Sequence, residues 1–108
     1  MHTTTEEIAA RYARIASSDE SLWASMPGLV WSNPAASTDA RIAAALLNPR
    51  FSQLVMIAYR FGTKRLVEAW AKLAEEVPEE VRRAAPHTEQ ILTNILEGER
   101  RAQTELLE

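Results

Sequence analysis

The sequence predicts an all-α fold: a compact bundle of five or six helices with one irregular loop at about residues 26–37. Three observations carry this reading. Glycine occurs only three times, and runs of β-branched residues are few. Alanine, leucine, glutamate and arginine, all strong helix formers, dominate the composition. Apolar residues recur at i, i+4 and i+7 between capping residues and helix-ending signals. A chain of 108 residues suits one domain, 1–108. Within it we expect N-terminal helices over 1–25, a core over 38–97, and a charged tail over 99–108 that frays when free.

Taken in order, Thr4 with Glu7 fits a capping box, and Ile8, Tyr12 and Ile15 then share one helical face. Ser17-Ser18-Asp19 breaks that helix and caps a short second one, Glu20 to Ser25, carrying Leu22 and Trp23. Pro27-Gly28 is turn chemistry, and Pro34 drives Asn33 out of the helical region. From Ser37 or Thr38 a third helix turns Ile42, Ala45 and Leu46 inward. Asn48 and Pro49 end it and are expected to cap and open the fourth. There Phe51, Leu54, Val55, Ala58 and Phe61 form a stripe that Met56, Ile57 and Tyr59 widen, a pattern expected of a buried central helix with Phe51 in the core. Gly62 closes that helix and Thr63 is expected to cap the fifth, whose Leu66, Trp70, Leu73 and Val77 face the core. Val77-Pro78 ends it. A short acidic-first turn follows, to about Ala85, and Pro86 is expected to start the last helix with Ile91, Leu92, Ile95 and Leu96 inward. Past Gly98 the sequence is mostly charged.

Charge and composition exclude several functions. Twelve Lys and Arg against fifteen Asp and Glu give a net charge of −3, which disfavours a strongly basic nucleic-acid binder. Without cysteine there is no disulfide framework, thiolate nucleophile or Cys-based metal site. No apolar run approaches the ~18 residues of a bilayer span. The polar, acidic N-terminus is unlike a secretory signal, so a cytoplasmic protein is expected.

Dedicated chemistry is sparse. His2 and His87 are far apart in sequence and neither belongs to a metal-ligand pattern, so no metal is expected. Gly28, Gly62 and Gly98 are isolated, so no glycine-rich loop can cradle a phosphate, and no cofactor is expected. No G-x-S-x-G elbow occurs, and the carboxylates sit on expected solvent faces, so no catalytic residue is assigned. Residues 51–74 read as helix, glycine turn, helix, with Ala58 four before the glycine and Lys64, Arg65 and Lys72 available for phosphates. This makes a DNA-binding or regulatory helix-turn-helix one alternative, although Glu68 stands where such units need an apolar residue. Thr93, Glu97 and Gly98 form an [ST]-x-x-x-E-[GN] pattern, with Thr93 and Glu97 on one helical face. It resembles the inhibitory helix of proteins that restrain Fic-type AMP-transferases, which implies Glu97 as an inhibitory residue, a second alternative.

The middle of the chain carries a broader resemblance. Trp31-Ser32-Asn33-Pro34-Ala35-Ala36-Ser37, Ala45-Leu46-Leu47-Asn48-Pro49-Arg50-Phe51 and Phe61-Gly62-Thr63-Lys64-Arg65-Leu66, then Trp70, are its marks. From about Trp31 to Leu96 the chain resembles small helical bacterial proteins encoded beside AbiEii-type nucleotidyltransferase toxins. The resemblance implies a non-enzymatic antitoxin that binds a cognate toxin directly. In that setting Trp31 can fill a pocket. Arg50, beside a helix start where a cation is unfavourable, calls for a compensating carboxylate, on this chain or on a partner. Arg60, Lys64 and Arg65 around Gly62 can meet acidic groups such as a nucleotidyltransferase's metal-binding carboxylates.

Overall fold

In the computed structural model, residues 5–26 and 35–107 are described. Among them the chain forms six helices and no strand: α1 (Thr5–Ile15), α2 (Asp19–Ala24), α3 (Thr38–Leu47), α4 (Phe51–Phe61), α5 (Thr63–Glu76) and α6 (Pro78–Leu107). The all-α bundle expected from the sequence is therefore the observed fold.

Serine caps define two of the starts. Ser18 Oγ accepts the Ser21 N–H at 3.1 Å, opening α2, and Ser37 Oγ accepts the Ala40 N–H at 3.1 Å, opening α3. Each satisfies one of the four orphan donors of a first turn. The α3–α4 junction differs from expectation. Asn48 (φ −134°, ψ 69°) is the C-cap of α3, Pro49 lies outside both helices, and α4 begins at Phe51 with Arg50 as its N-cap. The cause is local, because Pro49 disfavours helical backbone at the residue before it.

Gly62 alone separates α4 from α5. Its N–H donates to the Ala58 carbonyl at 2.8 Å, and its φ of 94° is the one positive value among the described residues. Thr63 does not cap α5 but is its first residue and is buried; its hydroxyl donates to the Glu99 carboxylate of α6. That contact sets a carboxylate at the positive end of α5, whose own first turn has no acid.

The helix α5 lies in the middle, packed against α3, α4 and α6. Its Leu66, Trp70 and Leu73 are buried, at the spacing read from the sequence. They join Leu22 of α2, Ile42, Ala45 and Leu46 of α3, Leu54, Ile57 and Ala58 of α4, and Val81, Ala84, Ile91 and Leu92 of α6. Two polar bonds tie the core together. The Trp70 indole N–H donates to Glu89 at 3.2 Å, and the fully buried Thr88 hydroxyl donates to the Leu46 carbonyl at 2.6 Å.

The C-terminal third departs from the expected two segments. A single 30-residue helix runs from Pro78 through Pro86 and Gly98 to Leu107. At 1.5 Å per residue it is roughly 45 Å long, and the molecule's longest extent is 41 Å. Pro86 removes the N–H that would serve the Arg82 carbonyl. Both residues are exposed, so water can take the donor's place. Burial on both sides of it, by Val81 and Ala84 before and Thr88, Ile91 and Leu92 after, holds the helix continuous. Leu96, expected inward, is 46% exposed.

A further correction concerns α4. Phe51 is not a core residue: it is 53% exposed, and Tyr59 is 61% exposed. Leu54, Met56, Ile57 and Ala58 take the buried positions instead. A helix apolar nearly all round does not by its sequence alone say which side the neighbours cover.

Candidate functional site

The basic residues picked out around Gly62 point to different neighbours. Arg60 Nε donates to Asp19 Oδ1 at 2.7 Å and its Nη1 to the Ser17 carbonyl at 3.1 Å, fastening the end of α4 to the α1–α2 turn. Arg65 Nη2 reaches Asp39 Oδ1 of α3 at 2.9 Å, while its guanidinium lies 5.0 Å from the centre of the Phe61 ring. Lys64 Nζ is 3.9 Å from Glu68 Oε1, one turn along α5. Lys72 pairs likewise with Glu76 at 3.8 Å. Exposed pairs of this kind contribute under about 1 kcal/mol each. They nevertheless answer each cation of the α4–α5 hairpin with a carboxylate, which leaves little net positive charge to meet a phosphate backbone.

Arg50 stands apart. Its backbone is extended (φ −129°, ψ 131°), its side chain makes no capping bond, and the first turn of α4 holds no acid. It is exposed and has no ion pair among the described residues. A guanidinium at a helix N-terminus faces the positive end of the macrodipole, an unfavourable place for a cation. Next to it, Phe51, Val55 and Tyr59 follow at i, i+4, i+8, so they share one side of α4. The outer side of α4 thus presents an arginine with no ion pair among the described residues, followed by two exposed aromatic rings, residue types enriched at the energetic centres of protein interfaces.

Trp31 lies outside the described residues. Thr93, Glu97 and Gly98 are exposed on α6. Thr93 and Glu97, with Leu96 and Arg100, line an open hollow of about 210 Å³. Gly98 is helix interior, and a Cβ there would meet nothing within 4 Å. Neither backbone conformation nor close packing requires a glycine at that position.

Sequence reasoning missed an aromatic stack at the opposite end of α4. Trp23 and Phe61 stack with centroids 5.7 Å apart. Arg41 sits 5.5 Å over Trp23, and Arg65 sits over Phe61, so two cations bracket two rings drawn from α2, α3, α4 and α5. Arg41 Nε also donates to the Ala36 carbonyl at 3.1 Å. Each cation–π contact is worth about 0.5–1 kcal/mol at exposed sites. The sequence offered Trp23 on the short second helix and Phe61 at the end of the α4 stripe, but their meeting depends on tertiary placement. Thr88 had a clearer signal: it interrupts the apolar series Ala84, Ile91, Leu92 and Ile95 at a core-facing position.

No group of three or more His, Asp or Glu among the described residues is placed to hold a metal ion. No buried side-chain nitrogen or oxygen among them lacks a hydrogen-bond partner. No described helix is long and apolar enough to cross a membrane. No protein-family model, curated protein or solved structure matches this chain.

Proposed function

We propose that this protein is a non-enzymatic antitoxin that neutralises a nucleotidyltransferase-type toxin by direct contact, using the outer side of α4. The observation that carries this reading is Arg50: an arginine with no ion pair among the described residues, at the wrong end of a helix dipole, leading into exposed Phe51 and Tyr59 with half-buried Val55 between them. An acidic cluster on a partner supplies the missing anion, and the aromatics supply apolar area at low entropic cost. Metal-binding carboxylates of a nucleotidyltransferase are such a cluster, and the resemblance over residues 31–96 supplies that partner's class. Occupying them blocks access of nucleotide or RNA without any chemistry by this chain.

The test is co-expression with the product of the gene adjacent to this protein's own, which the proposal expects to be a nucleotidyltransferase-type toxin. Relief of growth arrest, and co-purification of the two proteins through a nuclease-treated column, are expected. Growth arrest unrelieved by this protein, or co-purification lost on nuclease treatment, contradicts the proposal. Glu97→Gly is expected to leave neutralisation intact, which separates this reading from Fic-type inhibition.

A further inference from the structure

A second surface, on α1 and α2, carries two arginines that form no ion pair among the described residues. Arg11 and Arg14 are three residues apart on α1, so their side chains share a face. With Ile15 and Ser21 they line an open hollow of about 320 Å³. No ion pair joins either arginine to a carboxylate among the described residues; the neighbouring Asp19 is already held by Arg60. The turn beneath is fixed by its own bonds. Ser17 Oγ donates to the Arg14 carbonyl at 2.7 Å, and the Ser21 N–H donates to Ser18 Oγ. These leave the Ser21 hydroxyl and both guanidinium forks available at the hollow.

Two like charges at i, i+3 on a helix repel each other. An anion between them removes that repulsion and accepts from both forks. The geometry points to a binding site for a phosphate-bearing small molecule, with the phosphoryl group on Arg11 and Arg14. A carboxylate offers two oxygens. A phosphomonoester offers three terminal oxygens, which match two guanidinium groups and one hydroxyl. The hollow is shallow and open to solvent, so a phosphoryl group seats on the arginines while the rest of the ligand stays largely exposed. Ile15 gives that part an apolar wall. This site is separate from the α4 face and does not rest on the antitoxin reading.

The test is a nuclear magnetic resonance titration of the full chain, following the arginine side-chain Nε–H signals and the Ser21 amide at constant ionic strength. Inorganic phosphate and ribose 5-phosphate are the probes. Saturable shifts at Arg11, Arg14 and Ser21 are expected, with binding weakened about tenfold by either Arg11→Gln or Arg14→Gln. Both residues are exposed, so the variants keep the fold, and unchanged amide spectra elsewhere verify this. Tighter binding of ribose 5-phosphate identifies an esterified phosphate as the ligand; equal binding identifies the free anion. Shifts that never saturate with either probe, or that survive in the doubly substituted chain, overturn the proposal.

Discussion

Replacing Thr88 by valine tests the fully buried one of the two polar bonds that tie the core together. Thr88 is fully buried in α6 and its hydroxyl donates to the Leu46 carbonyl at 2.6 Å. That carbonyl belongs to the last turn of α3, where helical carbonyls lose their intrahelical donors. The chain cannot replace the donor locally. Pro49, three residues on, has no N–H, and Arg50, four residues on, has extended backbone that takes its N–H out of the helix. Thr88→Val therefore leaves a buried acceptor empty, at about 1–3 kcal/mol. The methyl replacing the hydroxyl returns roughly 0.8 kcal/mol of apolar burial. The net loss is roughly 0.2–2.2 kcal/mol, centred near 1 kcal/mol, where the fall in Tm is on the order of 4–5 °C for a domain of this size. Thermal and urea unfolding followed by circular dichroism measure it. Thr88→Ser keeps the bond and loses a methyl group, so its full loss is attributable to packing. A Thr88→Val protein as stable as the parent, or more so, refutes the assigned bond.

Further outcomes follow from burial and backbone geometry. Trp70→Ala is expected to cost about 3–5 kcal/mol, because it empties a core site and leaves Glu89 without its indole donor; Phe51→Ala, on the exposed side of α4, is expected to cost under about 1 kcal/mol. Urea denaturation of the pair checks both, and equal losses would place Phe51 in the core after all. The two described glycines are expected to respond with opposite signs. Gly62→Ala destabilises by roughly 1–2 kcal/mol through its φ of 94° alone, since the new Cβ meets nothing within 4 Å. Gly98→Ala stabilises by about 0.5–1 kcal/mol as a helix-interior substitution in open space. Thermal melts of both variants decide, and a loss at Gly98 would mean that α6 does not continue past it.

Helix identity was legible where one period dominated. Leu66, Trp70 and Leu73 recur on a single face of α5 between charged residues, and the structure buries those three. The α4 sequence has no such contrast. Its apolar residues surround the helix, so the sequence offered several equivalent faces and tertiary packing chose the one centred on Leu54, Ile57 and Ala58. Pro86 and Gly98 are local helix-breaking signals, yet α6 passes through both. Continuous packing on α3 and α5 outweighs the ~3 kcal/mol cost of an interior proline. Of the candidate site, sequence placed Arg50 beside the start of α4, and the structure makes it that helix's N-cap, with no ion pair among the described residues. The sequence could not show that Arg60 and Arg65 find acids at Asp19 and Asp39, 41 and 26 residues away. Those pairs depend on how helices pack, which no local spacing encodes.

The proposed partner capture through the outer side of α4 is tested most directly by calorimetric titration of the proposed nucleotidyltransferase-type toxin, purified, with this protein and with an Arg50→Glu, Tyr59→Ala form. Both substituted residues are exposed, so the fold is retained. A stoichiometric complex with the parent chain is expected. The substituted form should bind at least roughly 30-fold more weakly, the equivalent of an interface centre worth about 2 kcal/mol or more. Equal affinity of the two forms, or no complex with the parent chain, would contradict the assignment of α4 as the docking surface.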